Sequence, residues 1–239
     1  SLSLALILFS VGISADSHER LADQGVRMGS GHVVVQAKGY QLEGTLDRVV
    51  EQTQSVVKTA KALPHVRAVA VRVRAEGLIS AAEHSVGIAV SGVDPIAETA
   101  ASDLPKKLVA GSYLRARDQM PFSNTPADIV LGTKLARKLE VNVGDRVVLT
   151  VSPRKRPDRA QSSTKDSGDG RRGQTRSAAF IVRGLLETGV ATLDGFYAEV
   201  PISAARTLYE LSPGQSSQVA LILSTQYQSG QTAQALAVR

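Results

Sequence analysis

Between Pro153 and Ser177 the chain has no Val, Ile, Leu, Met or Phe. A segment of that composition cannot bury enough apolar area to offset the entropy of ordering it. The fold must therefore be assembled from the sequence on either side, with 153–177 as a flexible loop. The segment holds eight basic residues (Arg154, Lys155, Arg156, Arg159, Lys165, Arg171, Arg172, Arg176) and three acids (Asp158, Asp166, Asp169), so it carries +5 of the chain's net charge of +6. The basic character belongs to this one segment and not to a folded face. It also contains no aromatic ring, and the whole chain has nine Tyr and Phe and no Trp. Single-strand nucleic-acid grooves interleave stacking rings with positive charge, so nucleic acid is not an expected partner.

The first thirteen residues, Ser1 to Ile13, are free of charge. A spanning helix needs about 20 apolar residues, and no basic leader region precedes the run. It reads as the end of a transmembrane helix that continues as a stalk to about residue 28. A buried N-terminal helix or a trimmed signal peptide is the alternative. No other stretch approaches membrane length.

Residues 31–74 form a strand–helix–strand pattern. His32 to Gln36 is short and β-branched after Gly31. Thr45 can cap a helix whose apolar positions Leu46, Val49, Val50, Val57, Ala60 and Leu63 recur at steps of three and four, with Pro64 as its stop. From Val66 the period changes to two. Val69, Val71 and Val73 point one way, Arg72 and Arg74 the other. A strand over Ser85–Val90 is expected after a break around Gly77, closed by Asp94-Pro95, and residues 96–127 are mixed. Beyond them come a strand at Ile129–Gly132, a helix facing inward through Leu135, Ala136 and Leu139, a tight turn at Gly144-Asp145, and strands at 146–151, 180–186, 197–202 and 218–224. Ser203 is the expected cap of a helix carrying Leu208 and Leu211, and a last helix starts at Gln231.

Local catalytic signatures are missing from the sequence. There is no Gly-x-x-x-x-Gly-Lys-Ser/Thr phosphate loop and no Gly-x-Ser-x-Gly elbow. The absence of cysteine removes disulfides, thiolate zinc sites and a cysteine nucleophile. His18, His32, His65 and His84 are isolated, with no pair at the spacing that presents two ligands from one helix. Asp166-Ser-Gly-Asp169-Gly170 lacks the spaced third acid and terminal Glu of a calcium loop. The expectation is a non-enzyme without cofactor or metal.

Several segments in order resemble the MacB-like periplasmic core domain of ABC-transporter permeases, a family that includes the LolC and LolE subunits of the lipoprotein-releasing system. They are Gly31-His32-Val33-Val34-Val35; Val90-Ser-Gly92-Val-Asp94-Pro95 followed by Leu108–Leu114; Ile129–Leu139 with Val143-Gly144-Asp145-Arg-Val147; and Phe180–Gly184 with Glu187-Thr-Gly189, Asp194 and Pro201-Ile202. The similarity runs from about residue 29 to 224.

That resemblance implies an α+β fold of two lobes. Residues 29–75 and 216–239 would form a porter-like βαβ lobe, and 76–215 an inserted, mainly β, sabre-like lobe. It implies an inner-membrane protein with this domain facing the periplasm. A cytoplasmic ABC ATPase subunit would hydrolyse ATP, and a second permease copy or paralogue would complete a dimer. Lipoprotein release is the preferred activity. Export of macrolides or peptides, or activation of a cell-wall hydrolase, are the alternatives. In lipoprotein-releasing members the loop between the Gly-Asp strand and the next one engages a periplasmic lipoprotein carrier. Here 153–177 fills that position without apolar anchors. Arg154, Lys155, Arg156, Arg171 and Arg172 are therefore candidates for partner docking, with a solvated linker as the competing reading.

Overall fold

The structure, a computed structural model, describes residues 25–40, 46, 48–115, 126–152, 175–224 and 229–237. Among the described residues nine strands carry the fold: β1 (Val33–Gln36), β2 (Val66–Ala81), β3 (His84–Val93), β4 (Leu108–Gly111), β5 (Ala127–Gly132), β6 (Arg146–Val151), β7 (Arg176–Leu186), β8 (Tyr197–Pro201) and β9 (Gln218–Leu223). Five α-helices of the described residues pack on them: α1 (Thr53–Lys61), α2 (Pro95–Ala101), α3 (Thr133–Leu139), α4 (Ile202–Leu208) and α5 (Ser229–Ala237).

The strand pairings close a ring. β2 pairs with β3, β3 with β8 in parallel, β8 with β5, β5 with β7 in parallel, β7 with β6, and β6 returns to the far end of β2 at Leu78–Ser80. Closure removes exposed strand edges from this part of the molecule. Its inside is filled by Ile79, Ile88, Val90, Ile129, Leu131, Val147, Leu149, Phe180 and Val182, with Leu135 and Leu139 of α3 and Leu208 of α4 in the same cluster. A second, smaller core gathers Val33 of β1, Ala60 of α1, Val69 of β2 and Val219, Leu221 and Leu223 of β9. The molecule is thus α+β with two cores, and β2, 16 residues long, runs unbroken from one into the other.

Alternation along β2 sorts its residues between two coverings. Val69 and Val73 join the cores beneath α1, α3 and α4, while Ala70 packs with Ala101 of α2 on the opposite face. Outside the ring, Val93, Leu104, Leu114, Val130, Leu186 and Tyr197 form a further cluster against Met28 and Tyr113.

Four sequence expectations are corrected locally. The helix expected from Leu46 begins only at Thr53, because Val50 forms a β-bridge to Ser216 (N···O 2.8 and 3.2 Å) and Thr53 N–H donates to the Gly214 carbonyl. Tertiary hydrogen bonding overrides the helical period there, and Thr45 lies outside the described residues. Gly77 does not break the strand. A Cβ there would come within 3.0–3.2 Å of Leu149, Val151 and the Thr150 carbonyl, so the glycine admits β6 against β2. Asp94 caps a helix: its carboxylate accepts from the amides of Ile96 and Ala97, and Pro95 opens α2. Ser203 lies inside α4, which starts after Pro201, and its hydroxyl is buried.

Candidate functional site

The least expected feature is a buried charged node on the α2 side of the sheet. Arg72 sits mid-β2 and Glu98 in the first turn of α2, each only 1% exposed. Arg72 Nε donates to Glu98 Oε2 at 2.8 Å and Nη2 to Oε1 at 2.7 Å, a two-bonded fork that fixes both side chains. Burial alone would lower the Arg72 pKa. The hydrogen bond and charge of Glu98 outweigh it and raise it.

The same guanidinium donates through Nη1 to the carbonyl of Gly29. Arg74, two residues on and on the same face, donates Nη2 to that carbonyl at 3.2 Å. Gly29 belongs to a wide π-type turn, Val26–Ser30, and adopts φ 90°, a left-handed conformation suited to glycine. The turn is held by further bonds. Asp103 N–H donates to the Arg27 carbonyl at 2.8 Å, and the Arg27 and Asp103 side chains pair at 3.7 Å. Val26 packs on the Ala70, Ala101 and Ile222 cluster. The turn that leads into β1 is therefore fastened to β2, which runs through both cores.

A second buried carboxylate lies next to the first. Glu199 of β8 is fully buried and accepts from the hydroxyls of Tyr113 at 2.6 Å and Tyr197 at 2.8 Å. Its pKa is pushed up to about 7, first by burial and then by the charge of Glu98, while the two tyrosines and Arg72 hold it down. Burial raises the Tyr113 and Tyr197 pKa values as well, reinforced by Glu199. Further along, Arg115 grips Asp128 of β5 through two bonds of 2.8 and 2.9 Å.

The residues that carry the family resemblance serve structure. Thr188 donates both its amide and its hydroxyl to Asp194 Oδ1, at 2.8 and 2.7 Å, closing the loop before β8. Gly144 takes φ 100° in the turn before β6, and Asp145 accepts from the Asn142 amide at 2.7 Å. Arg154, Lys155, Arg156, Arg171 and Arg172 lie outside the described residues, as do residues 1–24. The flanks of the basic segment are defined: Val151 and Arg176 are cross-strand partners, so the segment leaves and rejoins the ring at one place. Among the described residues no group of three or more His, Asp or Glu could hold a metal, and no helix is long and apolar enough to cross a membrane.

These residues thus define a two-core α+β domain with a buried charged node on its longest strand. The family model for the MacB-like periplasmic core domain matches residues 1–238, and the chain belongs to that family. It is 26% identical over 196 residues to the lipoprotein-releasing system transmembrane protein LolC of Xylella fastidiosa, covering 81% of this chain and 40% of that protein. The chain thus spans less than half the length of this relative. The fold is similar to the extracellular domain of the noncanonic ABC-type transporter YknZ from Gram-positive bacteria (TM-score 0.53, 16% identity, 86% of this chain and 89% of the other). It is also similar to the periplasmic region of MacB from Actinobacillus actinomycetemcomitans (TM-score 0.53, 14% identity, 85% and 78%). The chain is thus the periplasmic domain of an ABC-type permease.

Proposed function

We propose that this domain couples ATP hydrolysis in a cytoplasmic partner subunit to movement of a substrate in the periplasm, and that the substrate is an acylated lipoprotein. The domain works by binding and displacement, with hydrolysis confined to the ATPase. It stands in an inner-membrane permease, paired with a second copy or paralogue.

The observation that carries the mechanical part is the fastening of Gly29 to Arg72 and Arg74. A displacement of the segment preceding Val26 reaches β2 through Arg72 and Arg74, with Arg72 held in place by its buried, two-bonded ion pair to Glu98, and β2 passes through both cores. Interfaces and packed cores switch between discrete arrangements and do not deform smoothly, so such an anchor can move the domain as a body. The choice of lipoprotein rests on the relative named for lipoprotein release. Macrolide or peptide export is the second reading, favoured by the likeness to the MacB periplasmic region.

The two are separated by expressing the full-length protein with its ATPase in spheroplasts. ATP-dependent appearance of an acylated lipoprotein in the soluble fraction supports release. Lowered intracellular macrolide with lipoprotein retained in the membrane overturns it in favour of export.

A further inference from the structure

A cavity of about 570 Å³ opens between the Val26–Ser30 turn, the C-terminal end of α2 and the end of β9. That volume is within the range of about 300–1,000 Å³ for small-ligand sites. Its lining includes Arg27, His32, Arg67, Asp103, Lys106 and Ser224. Three of these are permanent cations and one is a carboxylate.

The carboxylate is already engaged. Lys106 Nζ lies 2.7 Å from Asp103 Oδ1 and Arg27 Nη1 3.7 Å from Oδ2, and the Lys106 bond, ahead of the other charges, holds the Asp103 pKa below its ordinary value. Arg67 is exposed and forms no ion pair among the described residues. Leu223 N–H donates to His32 Nδ1 at 3.2 Å, so the proton of the neutral ring sits on Nε2. The ring therefore offers the cavity a donor and not an acceptor. Ser224 Oγ makes only a 3.5 Å contact with the His65 carbonyl and can turn toward a ligand.

We infer that this cavity binds a phosphate-bearing anion, held by the guanidinium of Arg67 with Arg27, Lys106 and His32 around it. Guanidinium forks match the oxygens of a phosphate two at a time, and a site with excess cation and few acceptors favours an anion over a neutral or cationic ligand. The wall contributed by Val26 and Arg27 is the turn fastened to Arg72, so an occupant would bridge that turn to β2 and β9. The source is either a free phosphate compound or a phospholipid headgroup. The anion site stands on the cavity alone, and only the lipid source rests on the permease reading.

The test is thermal unfolding of the full-length protein in a neutral detergent with inorganic phosphate, against chloride at equal ionic strength. In parallel, binding is measured to nanodiscs of phosphatidylglycerol and of phosphatidylcholine. Arg67→Glu and Lys106→Glu are compared with Arg137→Glu, an exposed cation on α3 remote from the cavity. A melting temperature raised by phosphate and not by chloride, lost in the two cavity variants and kept in R137E, supports a free phosphate source. Preferential binding to phosphatidylglycerol that falls at least tenfold in R67E, and not in R137E, supports the lipid source. The proposal is overturned if neither phosphate nor anionic lipid binds, or if R67E and K106E behave as R137E does. That outcome leaves the release assay untouched.

Discussion

Arg72 reaches across from β2 to the carbonyl of Gly29 while a buried ion pair with Glu98 holds its guanidinium. One side chain thus links the buried ion pair to the N-terminal turn, beside the bond from Arg74 to the same carbonyl. Removing Arg72 alone, as Arg72→Met, leaves Glu98 charged and buried, which costs about 3–5 kcal/mol. The double variant Arg72→Met/Glu98→Leu removes both charges and is expected to recover most of that loss. Urea unfolding of the two variants checks this, and a double variant as unstable as the single one contradicts it.

Glu199 predicts a pH dependence of opposite sign to that of an ordinary surface carboxylate. Its folded pKa, about 7, lies above the ordinary value of 4.5. The folded state therefore holds the proton more tightly than the unfolded chain does, and stability from this group falls as pH rises from about 4.5 to about 7. The full shift corresponds to about 3 kcal/mol. Glu199→Gln should flatten this part of the stability–pH curve. Tyr113→Phe removes a bond to the charged form and should move the inflection to higher pH. Chemical denaturation at pH 5, 6, 7 and 8 measures both.

Gly29 and Gly144 share a left-handed backbone, at φ 90° and 100°. Replacement by Ala costs about 1–2 kcal/mol at either site from the backbone alone. A Cβ at Gly144 meets nothing within 4 Å, whereas at Gly29 it lies 3.4 Å from Arg72 Nη2 and 3.6 Å from Glu98 Oε1. Those are ordinary van der Waals distances, so Gly29→Ala and Gly144→Ala should destabilise by similar amounts in thermal melts. A much larger loss at Gly29 would mean that the turn is pressed against the ion pair.

The pairing of Val151 with Arg176 lets the ring close without the basic segment. Replacing 153–174 by a two-residue Asn-Gly turn should leave the melting temperature within about 3 °C. If the segment docks a lipoprotein carrier, photo-crosslinkers at Arg154 or Arg171 of the full-length protein capture it. A strand-pairing defect after the replacement, seen as a large drop in melting temperature, contradicts the structural part of this prediction.

Much of the fold was legible in local pattern. The β6 span, Arg146–Val151, coincides with the run bounded by Gly144-Asp145 and the basic segment, and β5 with α3 follows the Ile129–Leu139 pattern closely. What local pattern missed was set by partners distant in sequence. Gly77 reads as a break, yet it marks the approach of β6, some 70 residues later. Val50 fits a helical period but bridges Ser216. Asp94-Pro95 carried a cap signal that also opens a helix, so α2 could have been found from it. The charged node was half visible. Alternation placed Arg72 and Arg74 on one face, but only α2 folding over that face buries Arg72. Glu199 and Tyr113 are 86 residues apart, and no spacing rule joins them.

The most direct test of the coupling account is ATP-driven release of an acylated lipoprotein from proteoliposomes holding the full-length permease and its ATPase. The comparison is between wild type and Arg72→Met/Glu98→Leu, with ATP hydrolysis followed in the same samples. The double variant is expected to stay folded, keep hydrolysis within about twofold, and release at least fivefold less lipoprotein per ATP. Release per ATP equal to wild type would show that the Gly29–Arg72 anchor transmits nothing.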